Sequence, residues 1–334
     1  MNRLIKKSVR KKWLGRFTIM SLVLLGAIIQ TGIISAHAAS APKTSAIHFN
    51  DKFLDVFVNE SGRVWAVAHA GKIVYSDNFG KDWIAQKSGT SRSLFSVFFA
   101  SPTKGWIVGE LGTVLYTEDG GQNWKPQNSG TTEQHLMKVK FINENQGWAV
   151  GTRGMIITTD DGGQNWRRLA FEQDMTINDI HFINDKQGWA AAEFEYVLYT
   201  VDGGETWTMQ TPKGIGNYFG VYFIDANQGV ICGTEGRLFY TTNGGLEWKP
   251  SINNQPNKKT LMKIGLFNNQ KGIAVGLDGA LLLTNDGGAT WNPLTTVSYY
   301  NWFSGLSLLN NGKALIAGGN GTILKTSDFG ITWE

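Results

Sequence analysis

A chain of 334 residues with 41 Gly, only 7 Pro and 12% aromatic side chains is built for short strands and tight turns, which excludes a helical or collagenous class. The formal charge of +4 does not describe a nucleic-acid binder: residues 1–16 carry seven of the 31 basic side chains and no acid, and the remainder holds 24 bases against 27 acids, a net −3. The single cysteine, Cys232, excludes an intrachain disulfide and leaves stability to the core.

The first predicted element is an export signal over residues 1–38. Arg3, Lys6, Lys7, Arg10, Lys11, Lys12 and Arg16 precede an apolar run over 17–35, and Ala36-His37-Ala38 offers small residues at both cleavage positions. Cutting is expected after Ala38. The competing reading is an uncleaved anchor, because the run is nearly long enough to span a bilayer. The expected product is a soluble monomer in an extracytoplasmic space: the periplasm, or the thylakoid lumen of a photosynthetic cell.

From residue 39 onward the chain repeats. Seven boxes, SDNFGKDW (76–83), TEDGGQNW (117–124), TDDGGQNW (159–166), TVDGGETW (200–207), TTNGGLEW (241–248), TNDGGATW (284–291) and TSDFGITW (326–333), place their tryptophans 41 to 43 residues apart. A fixed period of this size signals a solenoid or a propeller. Each box is an Asp box, Ser/Thr-x-Asp-x-Gly-x-x-Trp. It reads as a β-turn stapled by the Asp carboxylate, with Gly supplying a positive φ and Trp opening the next strand into the core. No box has the ligand ladder of a calcium loop.

Between boxes every repeat reads alike. In the second, Leu94–Phe99 (strand A), a turn, Gly105–Gly109 (B), a hairpin, and Val114–Thr117 (C) lead to the box, and Trp124 opens D. Four short antiparallel strands in about 42 residues make a propeller blade. The expectation is one all-β domain over 39–334, a seven-bladed propeller. The last repeat ends one residue past its Trp, and counting back from Phe53 puts residues 43–49 in the register of the missing strand, so this segment is expected to close the ring.

Function is expected on the face carrying the B–C tips and D–A loops, since loops carry function on a rigid scaffold. The tips are His69, Glu110, Arg153, Glu193 with Glu195, Glu235, Asp278 and Asn320. The D–A loops add Arg92, Arg167, Arg168, Lys213, Lys258, Lys259 and 299–303. Blade four breaks the pattern, with Glu193-Phe194-Glu195-Tyr196 where others have Gly. The candidate partner-binding residues are therefore Arg153, Phe194, Tyr196, Glu110, Glu235, Arg167 and Arg168; the bland alternative is a solvated charged rim.

Nothing in the sequence points to catalysis, a cofactor or a metal. The histidines lack ligand spacing, and no nucleophile elbow or phosphate loop occurs. Asp boxes occur in sialidases as well, which keeps a glycan-binding or sialidase-like glycosidase propeller as the alternative function. The sialidase Phe-Arg-Ile-Pro signature is absent.

The joined pattern F-I-N-x-x-x-G-W-A-V-G-x-x-G-x-I-x-x-T-x-D-G-G-x-N-W, nearly intact over Phe141–Trp166, resembles the photosystem II assembly and stability factor family. The resemblance covers 44–333 and implies an exported, non-catalytic scaffold that binds a membrane protein on its extracytoplasmic side. The family's arginine-rich patch is matched here only by Arg153.

Overall fold

A computed structural model describes residues 46–212, 216–294 and 301–334; the export signal expected over 1–38 lies outside them. The described residues form seven antiparallel sheets, each an A-B-C(-D) meander in chain order. The predicted propeller is thus observed. Blades one to five have four strands. Blade six has five, because Ile252–Asn253 crosses from blade five to pair in parallel with Thr290–Pro293.

Blade seven has three strands among the described residues: Phe303–Leu308, Ala314–Gly318 and Ile323–Thr326. Glu334 starts a fourth, exchanging backbone hydrogen bonds with Lys325 at 2.9 and 3.1 Å. Of the predicted closing segment, 43–45 lies outside the described residues. Ala46 and Ile47 pack on the cluster shared by blades seven and one, and Gly321 N–H donates to the Asp51 carbonyl at 2.8 Å. That cluster, with Phe53, Val56, Leu315 and Ala317, closes the ring by packing.

The core is seven layers, one between each pair of neighbouring blades. Four layers are joined by a B-strand tryptophan. Trp65, Trp106, Trp148 and Trp189 are fully buried. Each stacks on the last A-strand Phe of the next blade (Phe99, Phe141, Phe182, Phe223) at 3.6–3.7 Å between ring centroids. Each also donates its indole N–H to a glycine carbonyl of the next blade's box (Gly120, Gly162, Gly203, Gly244) at 2.8–3.1 Å. The ring thus gains apolar burial and a satisfied indole at once. The glycine opening the B strand in blades two to five makes room for the Phe: a Cβ at Gly147 would lie 2.5 Å from the Phe141 ring.

The box tryptophans differ from expectation. Trp83, Trp166, Trp207, Trp248 and Trp333 are only partly buried. Trp166 meets Phe141 edge-on at 5.9 Å and donates to Gln127 Oε1 at 3.2 Å. For Trp166, Trp207 and Trp248 the inner position is already filled by the preceding blade's Trp. Where that Trp becomes Val230, the next box tryptophan, Trp291, sinks into the layer, is fully buried, and donates to Gly288 O at 3.0 Å.

The box turns themselves are staples. Thr159 Oγ1 donates to Asp161 Oδ1 (2.8 Å) and accepts from Gly163 N–H (2.8 Å), while Asn165 N–H donates to Asp161 Oδ1 (2.9 Å). Asn78 and Asn243 fill the Asp position in two blades with the same backbone acceptor role. An acceptor oxygen is what the turn requires, and the negative charge is dispensable there.

Candidate functional site

The seven B–C hairpins share one geometry. Their two central residues both take positive φ, which glycine fills at the second position of six hairpins: 71, 112, 154, 236, 279 and 321. A Cβ at Gly112 would lie 2.1 Å from the Thr131 carbonyl oxygen of the D–A loop. Blade four has Glu195 there, at φ 70°. Its N–H donates to the Gly216 carbonyl at 2.8 Å. A non-glycine residue in this region is strained by about 1–2 kcal/mol, and such strain gathers at functional sites.

The hairpin register separates the predicted tips into two kinds. At the turn's first position Glu110 and Glu193 fold back onto their own blades, and His69 reaches Ser93 of the next blade at 2.9 Å. Glu110 Oε2 accepts from Ser93 N–H at 3.0 Å, and that bond is the main cause holding its carboxyl below the usual range. Glu193 does the same with Thr176 N–H at 2.7 Å. One residue later, Arg153, Phe194, Glu235, Asp278 and Asn320 are exposed. Glu235 is paired with Arg237 at 2.8 Å.

The structure brings Arg153 and Arg168 together along a shallow groove with Phe171, Glu172 and Asp174. Phe171 and Tyr196 both pack against the layer between blades three and four, so Tyr196 supports its hairpin while Phe194 stands 62% exposed beside it. Arg167 is not part of this groove: it pairs with Glu205 in the box of blade four at 2.5 Å. Lys213, Tyr299 and Tyr300 lie outside the described residues.

Sequence reasoning missed a second polar cluster, in the axial channel. Two positions of each A strand line the channel at successive depths. The third-position residues are Asp55, Ser96, Lys138, Asp179, Gly220, Lys263 and Gly305. Asp55 pairs with Lys138 (3.0 Å) and accepts from Ser96 Oγ (2.8 Å), and Asp179 pairs with Lys263 at 3.7 Å. The fifth-position residues are Phe57, Phe98, Lys140, His181, Tyr222, Gly265 and Ser307. The signal in the sequence was the charge itself, placed in strands that elsewhere are apolar. Among the described residues no group of three or more His, Cys, Asp or Glu could hold a metal ion. No helix among them is long and apolar enough to cross a membrane.

Sheet order, box turns and blade layers together define a seven-bladed Asp-box propeller. The chain belongs to the family described as Photosynthesis system II assembly factor YCF48, which it matches over residues 87–176 and 208–334. Among solved structures it is similar to YCF48 bound to D1 peptide (TM-score 0.70, 19% identity, 83% of this chain and 92% of that chain). YCF48 from Cyanidioschyzon merolae is similar to the same degree (TM-score 0.70, 18% identity, 83% and 96% covered). A GH74 enzyme from Niastella koreensis is more distant (TM-score 0.54, 13% identity, 85% and 65% covered). At these identities the likenesses speak for the fold alone. No curated protein matches the chain.

Proposed function

We propose that this propeller is an exported, non-enzymatic assembly factor that holds a membrane protein on its extracytoplasmic side. Its domain is read as residues 39–334, freed from a signal cut after Ala38. Family membership supports the assembly role, and the YCF48 solved with a D1 peptide supports a membrane-protein client. The observation that carries the reading on this chain is the irregular face of blades three and four. Strained Glu195 displays Phe194 at the tip of blade four's hairpin, and on the blade-three side Arg153 and Arg168 line one groove with Phe171. An exposed aromatic and two arginines on neighbouring blades have the composition of interface anchors. Arg167 and Glu110, held by partners elsewhere, play lesser parts, and Glu235 adds an acidic rim.

The test is recovery of a membrane complex by the tagged chain, beside a melting curve. Phe194→Ala with Arg153→Ala is expected to lower recovery at least tenfold with Tm nearly unchanged. Unchanged recovery would move the site off this face, and glycan hydrolysis by the parent chain would replace the assembly reading altogether.

A further inference from the structure

We propose that the axial channel binds a carboxylate group at the Lys140 ammonium, delivered either by a free small acid or by the C-terminus of a peptide. The inference is independent of the blade-three and blade-four surface. It starts from a charge count along the channel. The two aspartates and two lysines at the third positions satisfy one another, Asp55 with Lys138 and Asp179 with Lys263. That depth of the channel is neutral as a whole. Two residues further along its strand, Lys140 adds a cation with no acid opposite it. Its nitrogen has no hydrogen-bond or ion-pair partner among the described residues, and lies 4.8 Å from the centre of the Phe98 ring.

An ammonium left without an acceptor in a partly desolvated site is costly, and an anion relieves the cost. The molecule registers the cost already. Burial and then repulsion from Lys138 push the Lys140 amine down to about 8, with Asp179 only partly opposing. His181, beside it in the ring, is held well below its ordinary range by burial and by Lys140, so it stands neutral, with its one N–H engaged by the Phe223 backbone. Tyr222, whose ring lies 4.6 Å from that of His181, has a hydroxyl with no partner among the described residues, and burial raises its pKa. Ser307 Oγ accepts from Val58 N–H at 3.0 Å and keeps its own proton to donate. A cation, the two hydroxyl donors of Tyr222 and Ser307, and carboxylates already paired with lysines form an anion site.

The cavity sets the size. It holds about 230 Å³, lined from all seven blades. This is ample space for several waters, or for a carboxylate with a short aliphatic stem. Walls of Val56, Val97, Ile180, Val221 and Ile264 lower the local polarity and strengthen a lysine–carboxylate pair. The preference for carboxylate over a dianion follows from the charge count: one cation is unpaired.

The test follows the Lys140 side chain by NMR in the full chain, assigned with Lys140→Met, while sodium acetate replaces sodium chloride at constant ionic strength. A saturable shift with a rise in the Lys140 pKa is expected, lost in Lys140→Met and weakened at least tenfold in Lys140→Gln. Tetra-alanine with a free C-terminus and its C-terminal amide separate the sources. Saturation by the free peptide alone supports a chain terminus, and saturation by acetate without either peptide supports a small free acid. A response to both acetate and the free peptide no different from that to chloride, binding retained by both Lys140 variants, or saturation by the C-terminal amide as tight as by the free peptide would overturn the proposal. The parent chain's own Lys140 response decides the matter even if neither variant folds.

Discussion

Trp148→Ala probes the joint between blades three and four. The side chain is fully buried, lies 3.7 Å from Phe182 at an interplanar angle of 9°, and donates to the Gly203 carbonyl at 2.8 Å. Removing roughly 200 Å² of buried surface at about 25 cal/mol per Å² gives about 5 kcal/mol, an upper figure because the unfolded chain buries part of it. Collapse into the gap is limited, since Phe182 is held on its other edge by Trp207 at 6.1 Å. The expected loss is about 3–5 kcal/mol, part of it from the Gly203 carbonyl left without its donor. Trp166→Ala removes an edge contact from a partly exposed ring, and its expected loss is about 1–2 kcal/mol. Urea unfolding followed by far-UV circular dichroism compares the two, with an unchanged m-value confirming that the native and unfolded surfaces are alike. A Trp166→Ala loss equal to or greater than that of Trp148→Ala would refute the assignment of the inner position to the B-strand indole.

Further outcomes follow from the same contacts. Glu195→Gly should stabilise the fold by about 1 kcal/mol through relief of the positive φ, while lowering partner recovery if the hairpin displays Phe194; a loss of stability would remove strain from the account. Asp161→Asn should melt close to the parent and Asp161→Ala should lose about 1–2 kcal/mol, because Asn78 and Asn243 already serve in that position. The box aspartates Asp119, Asp161, Asp202, Asp286 and Asp328 all titrate below their ordinary value, and for Asp328 hydrogen bonds from Thr332 and Thr326 overcome burial to bring it to about 2. A depressed folded-state pKa contributes stability above the unfolded value and loses it as pH falls toward the folded one, so stability should drop between about pH 4 and pH 2. Asp328→Asn should flatten part of that acid limb; an identical limb would contradict the assignment. Deleting residues 39–50 should lower Tm and promote aggregation by uncovering Ile323 and the C strand of blade seven, and a monomer melting like the parent would exclude closure by this segment.

Blade number, strand order and box turns were legible in the sequence because each blade solves the same local problem with the same residues. The contrast between Trp166 and Trp291 was not, because it depends on what the preceding blade inserts: Trp106 displaces Trp166 outward, whereas Val230 admits Trp291. On the rim, a one-residue offset within the hairpin decides whether an acid caps its own strand, as Glu110 does, or faces solvent, as Asp278 does. The alternating pattern of a strand does not resolve that offset in a turn. The channel was overlooked for a different reason. Its ion pairs join blades two apart, Asp55 with Lys138 across 83 residues, and no period in the sequence links them.

The four indole joints fall in succession, between blades one and two through to blades four and five, and the remaining three contacts use Val230, Ile273 and Leu315 at the equivalent position. The arc of blades one to five is therefore expected to open less readily than the contacts of blade seven with its neighbours. Amide protons near Ile273 and Leu315 should exchange with solvent through smaller openings than those near Trp106 and Trp148. A circular permutant whose new ends fall in the A–B turn of blade six should retain more of its melting temperature than one cut in blade three. Blade seven also holds Glu334, paired with Lys325, and the packing of Ala46 and Ile47, so the chain's entry to and exit from the described ring lie away from blades three and four.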